Sequence, residues 1–289
     1  VSLATAWSTT VGIDVPIVNA PMGGAAGGRL AAAVSAAGGL GMIGMGSSAT
    51  APLLRRQLVA LGKVHRPFGI GLVHWVIQDH PDLFDVAVAA RPALLSVSFG
   101  EDWAWVQRAH DVGVTVATQV ATVEAARRAV DAGVDVLVAR GAEGGGHGEP
   151  ALGTLPLLAE VLDAVEAPVL AAGGIASARG VAAVLAAGAA GAWLGTVFAT
   201  CAEALTKPAD RAALLAASGD ATALTREFDV AAGYRWPPSL PERVLCNEAG
   251  VPTPVNAGQG VGLVTEARPA ADVMARLCWG AEELLHRWC

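Results

Sequence analysis

Apolar residues along this chain follow two alternating periods. Short runs of Val, Leu, Ile and Ala alternate with longer stretches whose apolar positions recur at helical spacing. The first pair sets the pattern. Val15-Pro16-Ile17-Val18-Asn19-Ala20 is an apolar run that stops at Pro21. Residues 27–37 follow, with Leu30, Ala33, Val34 and Ala37 on one helical face. Gly38 ends that helix, and 40–44 is the next strand. The same reading predicts strands over 68–72, 94–98, 114–119, 136–140, 169–172 and 192–195. It predicts helices over 51–61, 81–90, 103–111, 122–132, 155–165 and 177–187. Ala37-Gly38, Val112-Gly113, Ala132-Gly133 and Ala187-Gly188 repeat one joint, a helix closed by glycine just before a strand.

Strands alternating with helices imply an α/β fold with a parallel sheet. Eight units in about 200 residues fit a closed (β/α)8 barrel, with an open doubly wound sheet as the alternative. No G-x-G-x-x-G follows a strand with an acidic residue about 20 positions on, which weighs against a dinucleotide-binding sheet. Residues 1–205 are expected to form the barrel and 206–266 an excursion over its mouth. Residues 267–289 are expected to form a last helix docked outside, the whole making one structural domain. The excursion is rich in proline and glycine and holds the single tyrosine, Tyr234. A loop this long is usually ordered and functional, a floppy linker being the other reading. In the last helix Met274, Leu277, Cys278, Ala281, Leu284, Leu285 and Trp288 share a stripe.

Composition narrows the partners. The net charge is −7 over 289 residues, and Lys63 and Lys207 are the only lysines, so nucleic acid is an unsuitable partner. Cys201, Cys246, Cys278 and Cys289 form no metal-ligand spacing, so no metal site is expected and free cytoplasmic thiols are. Cys289 is expected to be exposed. The most apolar stretch, 180–204, is broken by Gly188, Gly191 and Gly195 and reads as helix, turn and strand rather than a membrane span. The start of the chain does not read as a secretory signal.

In a (β/α)8 barrel, chemistry sits at the carboxyl ends of the strands. Those ends read Pro21-Met22-Gly23-Gly24, Gly44-Met45-Gly46-Ser47, Gly71-Leu72-Val73-His74, Ser98-Phe99-Gly100, Gln119, Gly141 to Gly148, Ala172-Gly173-Gly174-Ile175 and Gly195-Thr196. This is a mouth lined by backbone and suited to a large flat ligand. Gly173-Gly174 and Gly195-Thr196 follow the last two strands and open helices, so bare N–H groups and the helix dipole favour an anion there, phosphate above all. Gly144, Gly145 and Gly146 allow close approach to the backbone around His147. Taken alone, that histidine reads equally as a ligand-facing imidazole or as a residue of a flexible turn.

Pro16 to Met22, Gly141 to Gly148, Ala171 to Ile175 and Gly195-Thr196 together resemble the motifs of nitronate monooxygenases, formerly called 2-nitropropane dioxygenases. The resemblance runs from about residue 16 to residue 203. It implies a TIM barrel holding FMN non-covalently, with Ala20, Pro21, Met22 and the adjoining Gly23 bordering the isoalloxazine ring and Gln119 at its pyrimidine end. Phosphate contacts would fall on Gly173, Gly174, Gly195 and Thr196, beside Ala172, with Gly145 and Gly146 near the cofactor and His147 as the catalytic residue. Members often carry Glu-Ala-Gly-Gly-His where this chain has Glu143-Gly144-Gly145-Gly146-His147, and Asn near the position of Gly71. His74 and Gln78 are the candidates to replace that Asn. Arg140 is unusual and is assigned to the cofactor side, as a charge able to stabilise an anionic reduced flavin.

The implied reaction is oxidation of alkyl nitronates, or of nitroalkanes, by O2 to a carbonyl compound and nitrite, with His147 as base or hydrogen-bond donor. The nearest alternative is an FMN-dependent NAD(P)H enoyl-thioester reductase, which shares a Gly-Gly-His loop continuing as His147-Gly148-Glu149 here. A phosphosugar-type isomerase, or a flavin-binding module without turnover, is the third reading. The expected partners are a small-molecule substrate and O2, without nucleic acid or membrane, with a homodimer left open. The expected location is the cytoplasm.

Overall fold

In the computed structural model, which describes residues 3–287, each predicted apolar run becomes a short strand buried on both faces. The strands are β1 (Ile17–Asn19), β2 (Gly41–Gly44), β3 (Phe68–Val73), β4 (Leu94–Ser98), β5 (Val116–Val120), β6 (Val136–Arg140), the two-residue β7 (Gly146–His147), β8 (Val169–Ala172) and β9 (Gly191–Leu194). All but β7 pair in parallel, in the order β1-β9-β8-β6-β5-β4-β3-β2. The seam between β1 and β2 is closed by a single backbone bridge, Val18 to Leu40. The buried Asn19 side chain completes it. Its Oδ1 accepts from the Met42 N–H at 2.8 Å and its amide donates to the Met42 carbonyl at 2.9 Å. A side chain thus stands in for a missing neighbouring strand, satisfying both buried backbone groups.

The joints behave as the sequence predicts. Gly38, Gly113, Gly133 and Gly188 all have φ between 75° and 99°, the left-handed region that a C′ glycine adopts at least cost. Helix starts rest on Thr50, Thr122 and Ser177, whose hydroxyls accept from the N–H of Leu53, Ala125 and Gly180. The helices cover the barrel and form the main apolar layer. Inside it, Val18, Met42, Leu94, Val138 and Trp193 pack together, and Trp7 and Ile13 from the start of the chain join them. The last helix, Ala270–His286, buries Met274, Leu277 and Ala281 against the helices Gly28–Ala36 and Ala178–Ala186. Trp288 and Cys289 lie outside the described residues. No helix among those described is long and apolar enough to cross a membrane.

After the barrel the chain builds β10 (Thr222–Thr225), β11 (Glu242–Cys246) and β12 (Pro252–Asn256), a small antiparallel sheet. β11 also pairs with β7, setting Glu242 opposite His147 and Arg243 opposite Gly146. The segment is fastened to the strand-end loops. The Gln259 N–H donates to the Glu143 carbonyl at 2.9 Å, and the Gly258 N–H donates to Thr196 Oγ1 at 3.0 Å. Its proline-rich part is therefore ordered structure, with Trp236 buried at its centre.

Candidate active site

A cavity of about 580 Å³ opens at the carboxyl ends of the barrel strands. Its wall brings together the residues assigned to the cofactor, Ala20, Pro21, Met22, Gly23, Gln119, Arg140, Gly145, Gly146, Ala172, Gly173, Gly174, Gly195 and Thr196, with His147. Trp236 and Asn256, from the segment after the barrel, close one side of it. His74 is absent from this wall and Gln78 is exposed. A Cβ on Gly71 would stand 2.3 Å from both Cβ and Cγ of Pro21, closer than any side chain can sit. The small residue is the condition for Pro21 to lie where it does.

The end of the cavity beside β8 and β9 fits a phosphate. Among the described residues, the backbone N–H groups of Gly174, Gly195 and Thr196 donate to no protein acceptor. All three residues line the cavity, and Gly174 lies just before the helix Ala178–Ala186, whose dipole favours an anion at its start. A phosphate would satisfy groups that are otherwise left without partners. The neighbouring small residues leave space against Met22 and Ala20.

The glycine loop after β6 is held from beneath by Arg140. This buried guanidinium donates through Nη2 to the carbonyls of Gly144 (2.7 Å), Gly145 (3.2 Å) and Gly146 (3.0 Å). Burial, with Arg243 nearby, lowers its pKa to about 10, so it remains a cation at neutral pH. Glu143 turns the other way. Its Oε2 accepts from the N–H of Thr154 at 2.8 Å and from its hydroxyl at 2.7 Å, which fixes the loop to the start of the helix Thr154–Ala164. A loop of three glycines is thereby held rigid by the charged residues on either side of it.

His147 is fixed on three sides. Its Nε2 is 2.8 Å from Oδ2 of the buried Asp229. Its ring lies flat on the indole of Trp236, with centroids 3.5 Å apart and planes 5° apart. Trp236 is anchored in turn, donating from Nε1 to Ser47 Oγ at 2.9 Å and meeting Phe99 edge-on at 5.0 Å. Phe99 itself has φ 72°, a strained backbone for a bulky residue, which aims it at this contact. On the third side Glu242 faces His147 across β7 and β11, and a ring nitrogen of His147 and carboxylate oxygens of Asp229 and Glu242 all lie within 4.8 Å of one another. Burial lowers the His147 pKa below the ordinary 6.5, with Asp229 opposing the shift, so the ring is neutral at pH 7. Glu242 moves the other way: burial first and the Asp229 charge second raise its pKa to about 7. One of its carboxylate oxygens is buried with no hydrogen-bond partner.

Asp229, Glu242 and Trp236 are the residues that reading along the chain does not tie to His147. Asp229 is 82 positions away, and no spacing rule links it to a glycine loop. The one available signal is compositional: a buried Trp in a proline-rich excursion points to a packed cover, though not to the ring it packs on.

Backbone-lined strand ends, bare N–H groups suited to an anion and a half-buried imidazole place a cofactor-sized site at the mouth of a (β/α)8 barrel. The chain belongs to the nitronate monooxygenase family, whose profile matches residues 5–234. It is also similar to a (3aS,4S,5R,7aS)-5-hydroxy-7a-methyl-1-oxo-octahydro-1H-indene-4-carboxyl-CoA dehydrogenase from Rhodococcus jostii (strain RHA1), 32% identical over 274 residues, spanning 95% of this chain and 74% of that protein. Among solved structures, FabK from Thermotoga maritima superposes with a TM-score of 0.87 at 28% identity over 98% of both chains. Nitroalkane oxidase from Streptomyces ansochromogenes superposes with a TM-score of 0.83 at 28% identity, over 98% of this chain and all of that one.

Proposed function

We propose that this chain oxidises alkyl nitronates with O2 to a carbonyl compound and nitrite, using FMN held at the barrel mouth. The observation that carries this reading is the neutral, immobilised His147 imidazole on the same cavity wall as the bare N–H groups of Gly174, Gly195 and Thr196. Those N–H groups would hold the phosphate, and Ala20, Pro21, Met22 and Gln119 would border the ring system. Bound there, FMN supplies the electron transfer from substrate to O2. The protein contributes position and protons. His147 takes the α-proton of a neutral nitroalkane on its free nitrogen or, once protonated, donates a hydrogen bond to the nitronate oxygens. Arg140 rigidifies the Gly144–Gly146 backbone and, on the cavity wall itself, keeps a positive charge beside the proposed flavin site.

The test is His147→Asn. The variant is expected to retain its FMN and yellow colour and to lose most turnover of nitroalkane. Near-full activity would remove His147 from the mechanism.

A thioester substrate is the second reading. The CoA in the name of the Rhodococcus relative and the fit to FabK favour it. Read as an enoyl-thioester reductase it requires NAD(P)H as the electron donor, which separates it experimentally from the nitronate reading. Residence in the cytoplasm is proposed from the free thiols of Cys201, Cys246 and Cys278.

A further inference from the structure

The catalytic reading of His147 leaves open which ring nitrogen does the work and what the buried acidic groups beside it are for. The contacts around the ring answer both. Nε2 is 2.8 Å from Oδ2 of Asp229, and a carboxylate can only accept, so Nε2 carries the proton of the neutral imidazole. Nδ1 makes no hydrogen bond to any described residue and is not a sealed, unpartnered atom of the core. It is the nitrogen left with a lone pair, on a side chain that lines the cavity. The Trp236 face prevents the ring from tilting away, and Trp236 is itself pinned to Ser47.

We propose that Asp229, outside the barrel and outside the cavity wall, is a positioning residue for His147: it fixes the Nε2–H tautomer, makes Nδ1 the working base, and stabilises the imidazolium formed when that base takes a proton. This inference rests on the nitronate reading of the site and extends it to neutral nitroalkanes, for which the base is needed. In the step concerned, the substrate C–H bond breaks and its electron pair stays on the substrate as the nitronate. The proton goes to Nδ1, and the resulting cation donates both N–H groups, Nε2 to Asp229. Three charged or titratable groups face the ring, namely Asp229, Glu242 across the β7–β11 pair, and Arg140 beneath the loop. Asp229 alone is hydrogen-bonded to it, so the tautomer depends on Asp229. The indole face adds a second stabilisation of the imidazolium, as aromatic faces do for cations.

Asp229→Asn keeps the size and removes the charge, and an amide can either donate or accept, so the tautomer is no longer enforced. With nitroethane the variant is expected to lose at least about tenfold in kcat/KM, with the acid limb of its pH profile moved to lower pH. With pre-formed ethyl nitronate, which needs no deprotonation, it is expected to stay within about threefold of wild type at unchanged FMN content. Parallel loss on both substrates, or no loss on either, would overturn the assignment and make Asp229 a structural residue. A wild-type protein inert to both substrates would instead count against the nitronate reading. The tautomer itself is then read without turnover, from the 15N shifts of His147 in histidine-labelled wild type, assigned by His147→Asn. A protonated Nε2 and bare Nδ1 support the proposal, and the reverse tautomer overturns it.

Discussion

His147 lies face to face with Trp236, 3.5 Å between ring centres, although the two residues belong to different parts of the chain. The histidine ends the glycine loop of the barrel, while the tryptophan comes from the segment that returns after the last strand. The imidazole is therefore held by a segment the barrel does not need for closure. Trp236→Leu should remove the stack and the bond to Ser47 while keeping an apolar residue. The expected result is a kcat/KM at least about tenfold lower with FMN still bound. Trp236→Phe, which retains an aromatic face, should recover part of that loss. Steady-state kinetics on flavin-matched samples checks this.

The contact between Gly71 and Pro21 predicts a defect of another kind. Gly71→Ala places a Cβ 2.3 Å from two atoms of the Pro21 ring. Overpacking of this type costs about 1–3 kcal/mol, and here it displaces a residue of the cavity wall. Lower flavin content per protein, with a lower Tm, is the expected outcome, measured by absorbance and thermal melting. Full flavin loading at an unchanged Tm would contradict the contact.

Much of this was legible in the sequence. Alternating periods and the repeated Ala-Gly and Val-Gly joints give eight strands and their helices within a residue or two, because burial on both faces demands continuous apolar runs and a C′ glycine demands a positive φ. The strand ends, read in turn, give much of the barrel side of the cavity, because parallel topology puts every carboxyl end at one mouth. What the chain does not disclose in one dimension is how the excursion folds back. The Asp229–His147 bond and the Glu242–His147 pairing depend on β11 adding to a two-residue strand, which carries no periodicity. Asn19 is similar: it reads as one polar residue ending a strand, and its place at the barrel seam emerges only on closure.

That seam supplies a stability prediction. Asn19→Ala leaves the buried N–H and C=O of Met42 without partners. Each such group costs about 1–3 kcal/mol, and a chain of this size loses roughly 2–4 °C of Tm per kcal/mol. A fall of about 5 °C or more is expected by thermal denaturation. A change under a degree would mean the seam is held by other contacts.

Glu242 predicts a pH dependence of stability. Its pKa is raised from 4.5 to about 7 in the folded protein, so between those values the folded state binds more protons than the unfolded chain. Stability therefore falls as pH rises from about 4.5 to 7, and the penalty is complete above that range. Glu242→Gln, isosteric with the protonated acid, removes it. The variant should melt higher than wild type at pH 8 and about equally at pH 4.5. Equal melting at pH 8 would show that the carboxylate is better solvated than its surroundings imply.

The pH profile of turnover follows from His147. Burial holds its pKa below 6.5, so kcat/KM for a neutral nitroalkane should stay level on lowering the pH through 6.5 and fall only below it. A limb above 6.5 would indicate an imidazole more exposed than its contacts with Asp229 and Trp236 allow.

The nitronate reading requires that a nitronate reduce the FMN bound at this mouth. Anaerobic titration of the purified yellow protein tests it most directly. Ethyl nitronate should bleach the flavin absorbance, NADH and NADPH should leave it unchanged, and admitting air should restore the colour with release of nitrite. Bleaching by NADH or NADPH and not by the nitronate, or a protein that purifies colourless and takes up no FMN, would contradict the account.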